Sequence, residues 1–248
     1  MRAHDAIPEE MLRSWKQSQS IPDSAGTQHA AHYHEVDEWL RVETGRMSFT
    51  DVISGETIAV ESSQVLEIPS GSVHTVRIDS DVRYQMWTPV EPEPPFQRPL
   101  SALPNEAGVS DQVLAELVFS TFEMPRLENR IGDGDEQARA RLLTLLHPDL
   151  QFLRGNGTFA TLEQFSSKPA GAGAGVPPRV KPTMRRWRSS AFEILQLKPT
   201  GALVSIDVHT IDEATSPPSR ARTRNLRGFA LDAGQWRCRV WMNYALES

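Results

Sequence analysis

A single cysteine, Cys238, stands in a chain of 248 residues. One thiol closes no intrachain disulfide, so a disulfide-stapled scaffold is excluded and a reducing cytoplasm is the expected compartment. Cys238 lies in an apolar-rich segment, QWRCRVWMNYAL, where a packed role is expected rather than a nucleophilic one. No apolar run approaches the roughly 20 residues that cross a bilayer, so no membrane partner is expected. Nor does MRAHDAIPEEMLRSWKQ carry an apolar stretch behind Arg2, so no secretory signal is expected. No helix-turn-helix segment is evident, and the net charge of −6 opposes long-range attraction to a polyanion. Nucleic acid is therefore not an expected partner. The cluster Arg185, Arg186 and Arg188 around Trp187 reads as a solvated strand edge or an anion contact.

What is present suits a soluble globular protein on the polar side, with 39% hydrophobic and 23% charged residues. Charge is unevenly spread. Residues 1–88 hold 7 basic and 14 acidic side chains, whereas residues 109–248 hold 18 and 15. That asymmetry points to two domains, 1–88 and 109–248. Between them, residues 89–108 (PVEPEPPFQRPLSALPNEAG) are dense in proline and have no periodicity, the mark of a semi-rigid linker.

In the first half, Pro8, Glu9 and Glu10 lead into Met11, Leu12 and Trp15 at helical spacing, predicting a short amphipathic helix over residues 8–18 on the outside of the domain. From about residue 28 to 88, short alternating runs separated by Ser, Gly and Asp predict an all-β barrel or sandwich. Within that region His32 and His34 are two apart, so on a strand they point to one face. Glu38 follows after three residues, and His74 is fed into another strand by the turn around Pro69 and Gly71. Three imidazoles and a carboxylate form a mixed nitrogen–oxygen set suited to a divalent transition metal: Fe, Mn, Zn, Ni or Cu.

The spacing G-x5-H-x-H-x3-E-x6-G is met at Gly26, His32, His34, Glu38 and Gly45, and P-x-G-x2-H at Pro69, Gly71 and His74. Over residues 20–88 the chain thus resembles the cupin superfamily. The resemblance implies a small jelly-roll barrel with the metal inside it, held by these four side chains, and Glu38 as either ligand or base. Two positions depart from the pattern: Ser63 stands where the second motif usually opens with Gly, and Ile78 where it often closes with Asn.

Beyond residue 109 the period changes. Val113, Leu114, Leu117, Val118 and Phe122, then Leu142, Leu143, Leu145 and Leu146, are spaced for two helices divided at Gly132–Asp135. Ser110 with Asp111 is a plausible N-cap for the first helix, and Asp133, Asp135 and Glu136 cap the second. A strand near Leu150–Leu153, a turn at Gly155-Asn156-Gly157 and a short helix through Leu162 and Phe165 follow. The core-free segment SSKPAGAGAGVPPRVKP (residues 166–182) reads as a loop, and four strand candidates close the chain. Over residues 109–247 this order resembles the nuclear transport factor 2-like superfamily, with its SnoaL-like cyclases and ketosteroid isomerases. That resemblance implies an α+β cone-shaped domain, a bent antiparallel sheet wrapped around helices, that forms a homodimer.

In ALVSIDVHTIDEA, Asp207 and His209 share one strand face and form a candidate acid–base pair, a solvated or dimer-facing surface being the plainer reading. Arg222, Arg224 and Tyr244 are candidates to line an anion pocket. The favoured function is a metal-dependent cupin enzyme acting on a small oxygenated molecule, of dioxygenase, isomerase or lyase type. The alternatives are a non-catalytic protein that binds a small ligand, or cyclase or isomerase chemistry in the second domain.

Overall fold

The computed structural model describes residues 1–89, 97–153, 157–166, 185–212 and 219–245. The Gly155-Asn156 part of the expected turn, all but Ser166 of the 166–182 loop and residues 90–96 of the proline-dense stretch lie outside them. Contacts divide the chain into two compact units: Met1–Leu103 with Ser110–Phe119, and Pro104–Val109 with Ser120–Ser248. Among the described residues no helix is long and apolar enough to cross a membrane.

The first unit carries β1 (Arg2–His4), α1 (Glu9–Ser14), β2 (Lys16–Gln17), β3 (Ile21–Asp23), β4 (Gln28–Tyr33), β5 (Glu38–Thr44), β6 (Arg46–Asp51), β7 (Thr57–Glu61), β8 (Val65–Ile68), β9 (His74–Ile78), β10 (Val82–Thr88) and β11 (Arg98–Pro99). They form two antiparallel sheets, one ordered β1-β8-β5-β10-β2 with β3 also on β10, the other β11-β4-β9-β6-β7. The period-2 pattern decides the interior: Leu40 and Val42 of β5, Met47 and Phe49 of β6, Val76 and Ile78 of β9 and Tyr84 of β10 share one apolar core. On the other face of β5, Trp39 joins Ile7, Val65 and Trp87, and Met11 and Trp15 pack on that patch. The amphipathic segment thus lies outside the barrel, as predicted, but its helix ends at Ser14. Lys16–Gln17 turn extended and pair with Trp87 and Thr88. Backbone pairing on a sheet edge wins here over helical spacing, and it also explains the unforeseen β1, which pairs with Val65–Glu67.

Inside the stretch expected as linker, Arg98–Pro99 forms an edge strand against Tyr33 and His32, and Leu100 is buried. Proline is tolerated there because an edge strand leaves one side of its backbone unpaired.

Ser63 shows what the departure from the motif costs. It sits in the β7–β8 turn with φ +72°, a left-handed conformation that disfavours any residue with a Cβ. Its amide still donates to Val42 O at 2.8 Å, so the turn is kept. Ser63→Gly is expected to stabilise the protein by up to about 1 kcal/mol, read as a higher denaturant midpoint at unchanged slope; a lower midpoint would show that the serine relieves more than it strains.

The second unit is built on the part of α2 (Asp111–Gly132) from Ser120 onward, α3 (Glu136–Thr144), β12 (Leu146–Leu153), β13 (Phe159–Ala160), α4 (Leu162–Ser166), β14 (Arg185–Lys198), β15 (Gly201–Asp212), β16 (Ser219–Asp232) and β17 (Gln235–Ala245). Its antiparallel meander β14-β15-β16-β17 continues into β12, parallel to β17, and β13. Ser110 Oγ accepts from Val113 N at 3.3 Å and Asp135 Oδ1 from Ala138 N at 2.9 Å, so both predicted caps are made. The second half of α2 packs on the sheet, Phe122 lying 5.8 Å from Phe192 of β14. An α+β unit of helices against a long antiparallel sheet is the fold class expected.

Pro125 sits inside α2. Having no N–H, it leaves the carbonyl four residues back, that of Thr121, without its helical donor. Arg227 of β16 takes that place, Nη1 donating to Thr121 O at 2.7 Å. A residue that breaks helices is accommodated by a guanidinium 106 positions away.

Candidate metal centre

The site is made where the two motif halves meet. β4 and β9 pair antiparallel with His32 opposite His74, after a register shift between His29 and His32. His34 lies just past the end of β4, and Glu38 opens β5 on the inward face it shares with Leu40 and Val42. The Pro69–Ser72 turn closes with Ser72 N donating to Pro69 O at 3.0 Å, and Gly71 supplies the positive φ of 76° it requires. Two bonds then tie the turn to the first motif: Gly71 N to His34 O and Ser70 N to Asp37 Oδ1, both 2.8 Å. Asp37 was not foreseen; nothing in its spacing distinguishes it from a surface acid, and only the fold puts it beneath the turn.

Three imidazoles converge. One ligand nitrogen from each of His32, His34 and His74 lies within 4.8 Å of the others. The His32 and His74 rings are 4.5 Å apart, and those of His34 and His74 stack at 5.5 Å. All three are buried, and Glu38 is only 1% exposed. Phe49, 5.8 Å from His74, joins the group to the apolar core.

The environment keeps two of the rings, His32 and His74, neutral. Burial pushes His32 down to about 4, helped by the neighbouring His34 and His29 and opposed by its bond to Ala30 O. Burial likewise holds His74 well below the usual imidazole value, with His34 and His32 adding to it. Each of these two rings has its Nδ1 on a backbone carbonyl, Ala30 O at 2.7 Å and Ser72 O at 3.0 Å. A ring whose Nδ1 donates to a carbonyl has its Nε2 lone pair free for a metal, and neutral imidazole is the ligand form.

Glu38 completes the set through His34, its Oε2 lying 3.0 Å from Nδ1 of that ring. That oxygen is buried and accepts no hydrogen bond from any described residue. Two donors at right angles around one ion, each at about 2.1 Å, would stand about 3.0 Å apart. A carboxylate oxygen buried without a donor among the described residues, beside three converging imidazoles, suits a divalent cation. Of the four predicted ligands, the structure clusters the three histidines and sets Glu38 against one of them.

Residues 23–88 match the model of the cupin domain family. The matched stretch covers both motif halves. Among solved structures, the chain is similar to a cupin-2 domain protein of Shewanella frigidimarina, at 15% identity and TM-score 0.27, over 31% of this chain and 72% of that one. It is also similar to a putative scytalone dehydratase from Novosphingobium aromaticivorans, at 14% identity and TM-score 0.42, over 56% and 89%. A third is the CamKII hub homology domain of Chlamydomonas reinhardtii, at 13% identity and TM-score 0.43, over 54% and 98%. No curated protein matches the chain.

The candidate pair in the second unit is arranged differently. Asp207 is wholly buried, engaged by Arg222 and, at 2.8 Å, by Arg224 Nε. Burial pulls its pKa up, but the bonds from Arg224 and Arg222 outweigh burial and hold the carboxyl below its usual range. An aspartate so held keeps its charge and is a weak base. His209 Nε2 lies 2.7 Å from Ser190 Oγ. Arg222 and Arg224, expected to line an anion pocket, are thus occupied by Asp207, and Tyr244 is exposed with its hydroxyl 3.7 Å from Met242 Sδ.

Proposed function

We propose that the cupin region binds a divalent transition metal and acts as a metal-dependent enzyme on a small oxygenated organic molecule. The observation that carries this reading is the buried convergence of His32, His34 and His74 with a carboxylate oxygen of Glu38 that has no hydrogen-bond donor. The three imidazoles and Glu38 would hold the ion. A bound metal supplies Lewis acidity toward a carbonyl or hydroxyl, and a redox-active one supplies electrons for oxygen chemistry. The chain's own contribution is geometric and electrostatic. Ala30 O and Ser72 O fix two rings in the ligating tautomer. Phe49 and the apolar core close one side against water. Glu38 is the candidate base of the site where it stands beside the ion rather than on it. Four ligands leave two positions of an octahedral ion open, enough for a bidentate substrate such as an enol, catechol or diketone.

Metal analysis of the purified chain beside His34→Ala tests it. About one ion per wild-type chain, lost in the variant, is the expected result. A wild type that neither carries nor takes up Fe, Mn, Zn, Ni or Cu would sink the reading.

A further inference from the structure

The chain beyond the barrel returns to the strand that carries the first candidate ligand. The match to the cupin domain family ends at residue 88, and β11 lies past it. β11 nonetheless belongs to the first unit. It ends the sheet order β11-β4-β9-β6-β7, and so makes β4 an inner strand instead of an edge. Register sets Arg98 opposite Tyr33 and Pro99 opposite His32. Leu100, the next residue, is 2% exposed and opens a single 3-10 turn through Ala102, which anchors the short strand.

β4 is held irregularly on its other side. Its pairing with β9 shifts register between His29 and His32, where Ala30 O is taken by the His32 ring. A bulge of this kind re-aims side chains and interrupts the ladder. His34 lies one residue past β4, outside the ladder, with its carbonyl accepting from Gly71 N. β11 therefore supports the ligand end of β4 at the level where the β9 side is broken.

Side chains add to this backbone support. Tyr33 follows His32 and Glu35 follows His34, and Arg98 stands by both. Its Nη1 lies 3.7 Å from Glu35 Oε1. Tyr33 is wholly buried; burial pushes its hydroxyl up, and the Arg98 guanidinium works against that rise. The Arg98–Glu35 pair is partly open to solvent, 37% and 20% exposed, so its share in global stability is small. What it fixes is local: the residue that follows each of two ligands.

We infer that Arg98 is a positioning residue for the candidate metal centre: from β11 it clamps Tyr33 and Glu35 and so holds the His32 and His34 rings in their converged places. The inference rests on the metal reading proposed above. It gives part of the stretch expected as a linker a role in the site, although no residue of that stretch is a ligand.

Charge and position predict opposite signs for the loss of Arg98. A guanidinium near a bound cation repels it, so removing the charge alone would tighten the metal. Removing the clamp loosens it. Zn2+ affinity of the full chain, measured by competition with a chromogenic chelator, tells the two apart. Arg98→Ala is expected to weaken Zn2+ about tenfold, the low end for residues that orient ligands. Arg98→Lys, which keeps a cation within reach of Glu35, is expected to stay within about threefold of wild type. In the metal-free protein, Arg98→Ala is expected to speed amide exchange at residues 32–35 at least about tenfold while β6 and β7 keep their protection. A wild type that takes up none of the five metals fails the metal reading, and this inference with it. With metal bound by the wild type, three results overturn the clamp alone. They are an Arg98→Ala protein that binds Zn2+ as tightly or tighter, exchange that is unchanged or rises equally in β6 and β7, and an Arg98→Lys protein as weak as Arg98→Ala.

Discussion

His74→Ala is expected to remove metal binding entirely, while Glu38→Gln is expected to weaken it by a smaller factor. The asymmetry follows from position. His74 meets both other rings, pairs across strands with His32 and has its Nδ1 on Ser72 O, so Nε2 is committed to the centre of the cluster. Its loss leaves two imidazoles and opens a cavity beside Phe49. Glu38 reaches the group beside one ring, His34. If it orients that ring, Glu38→Gln costs about 10–100-fold in affinity, the usual scale for an outer partner. If it ligates directly, replacing an anionic donor with a neutral amide costs more. Competition with a chromogenic chelator gives both affinities without any assay of turnover. A Glu38→Gln protein that binds as tightly as wild type would remove the carboxylate from the site, and a His74→Ala protein that keeps its metal would remove the site altogether.

The clustering of the candidate ligands was legible because strand periodicity and a two-part motif constrain them locally: His32, His34 and Glu38 lie within seven residues, and the turn before His74 is written in Pro69 and Gly71. Ser63 was legible as a departure, and its φ of +72° shows that the backbone kept the conformation although the residue changed. What escaped notice depends on contacts between distant segments. Asp37 caps a turn 33 residues away, and Arg227 serves a carbonyl freed by Pro125 and 106 positions away in the chain. The strands at Arg2–His4 and Arg98–Pro99 escaped for a different reason. They are held by backbone bonds at sheet edges, which impose no alternation on their side chains. The Asp207 and His209 reading had the shared strand face right in principle, but periodicity carries no information about Arg222 and Arg224 on the neighbouring strand.

The same contrast separates two glycines of the first motif, and their replacement is the sharpest test of the fold. Gly45 turns β5 into β6 with φ +83°, and a Cβ there would stand 2.1 Å from the backbone oxygen of Asp81. That oxygen belongs to a loop which cannot retreat freely, since Asp79 N and Ser80 N both donate to Arg46 O and Asp81 Oδ1 accepts from Ala25 N. Gly45→Ala therefore meets two costs, about 1–2 kcal/mol for the left-handed backbone and about 1–3 kcal/mol for the forced shift. Gly26 has φ +86° but nothing within 4 Å of its added Cβ, so Gly26→Ala meets only the first. Chemical denaturation of the two variants side by side is expected to show Gly45→Ala clearly the less stable, with the difference confined to the transition of the first unit. Equal losses would mean that the hairpin and the Asp81 loop do not approach as closely as drawn. Because β5 also carries Glu38 at its other end, a displaced hairpin is expected to lower metal affinity as well, although Gly45 itself touches no ligand.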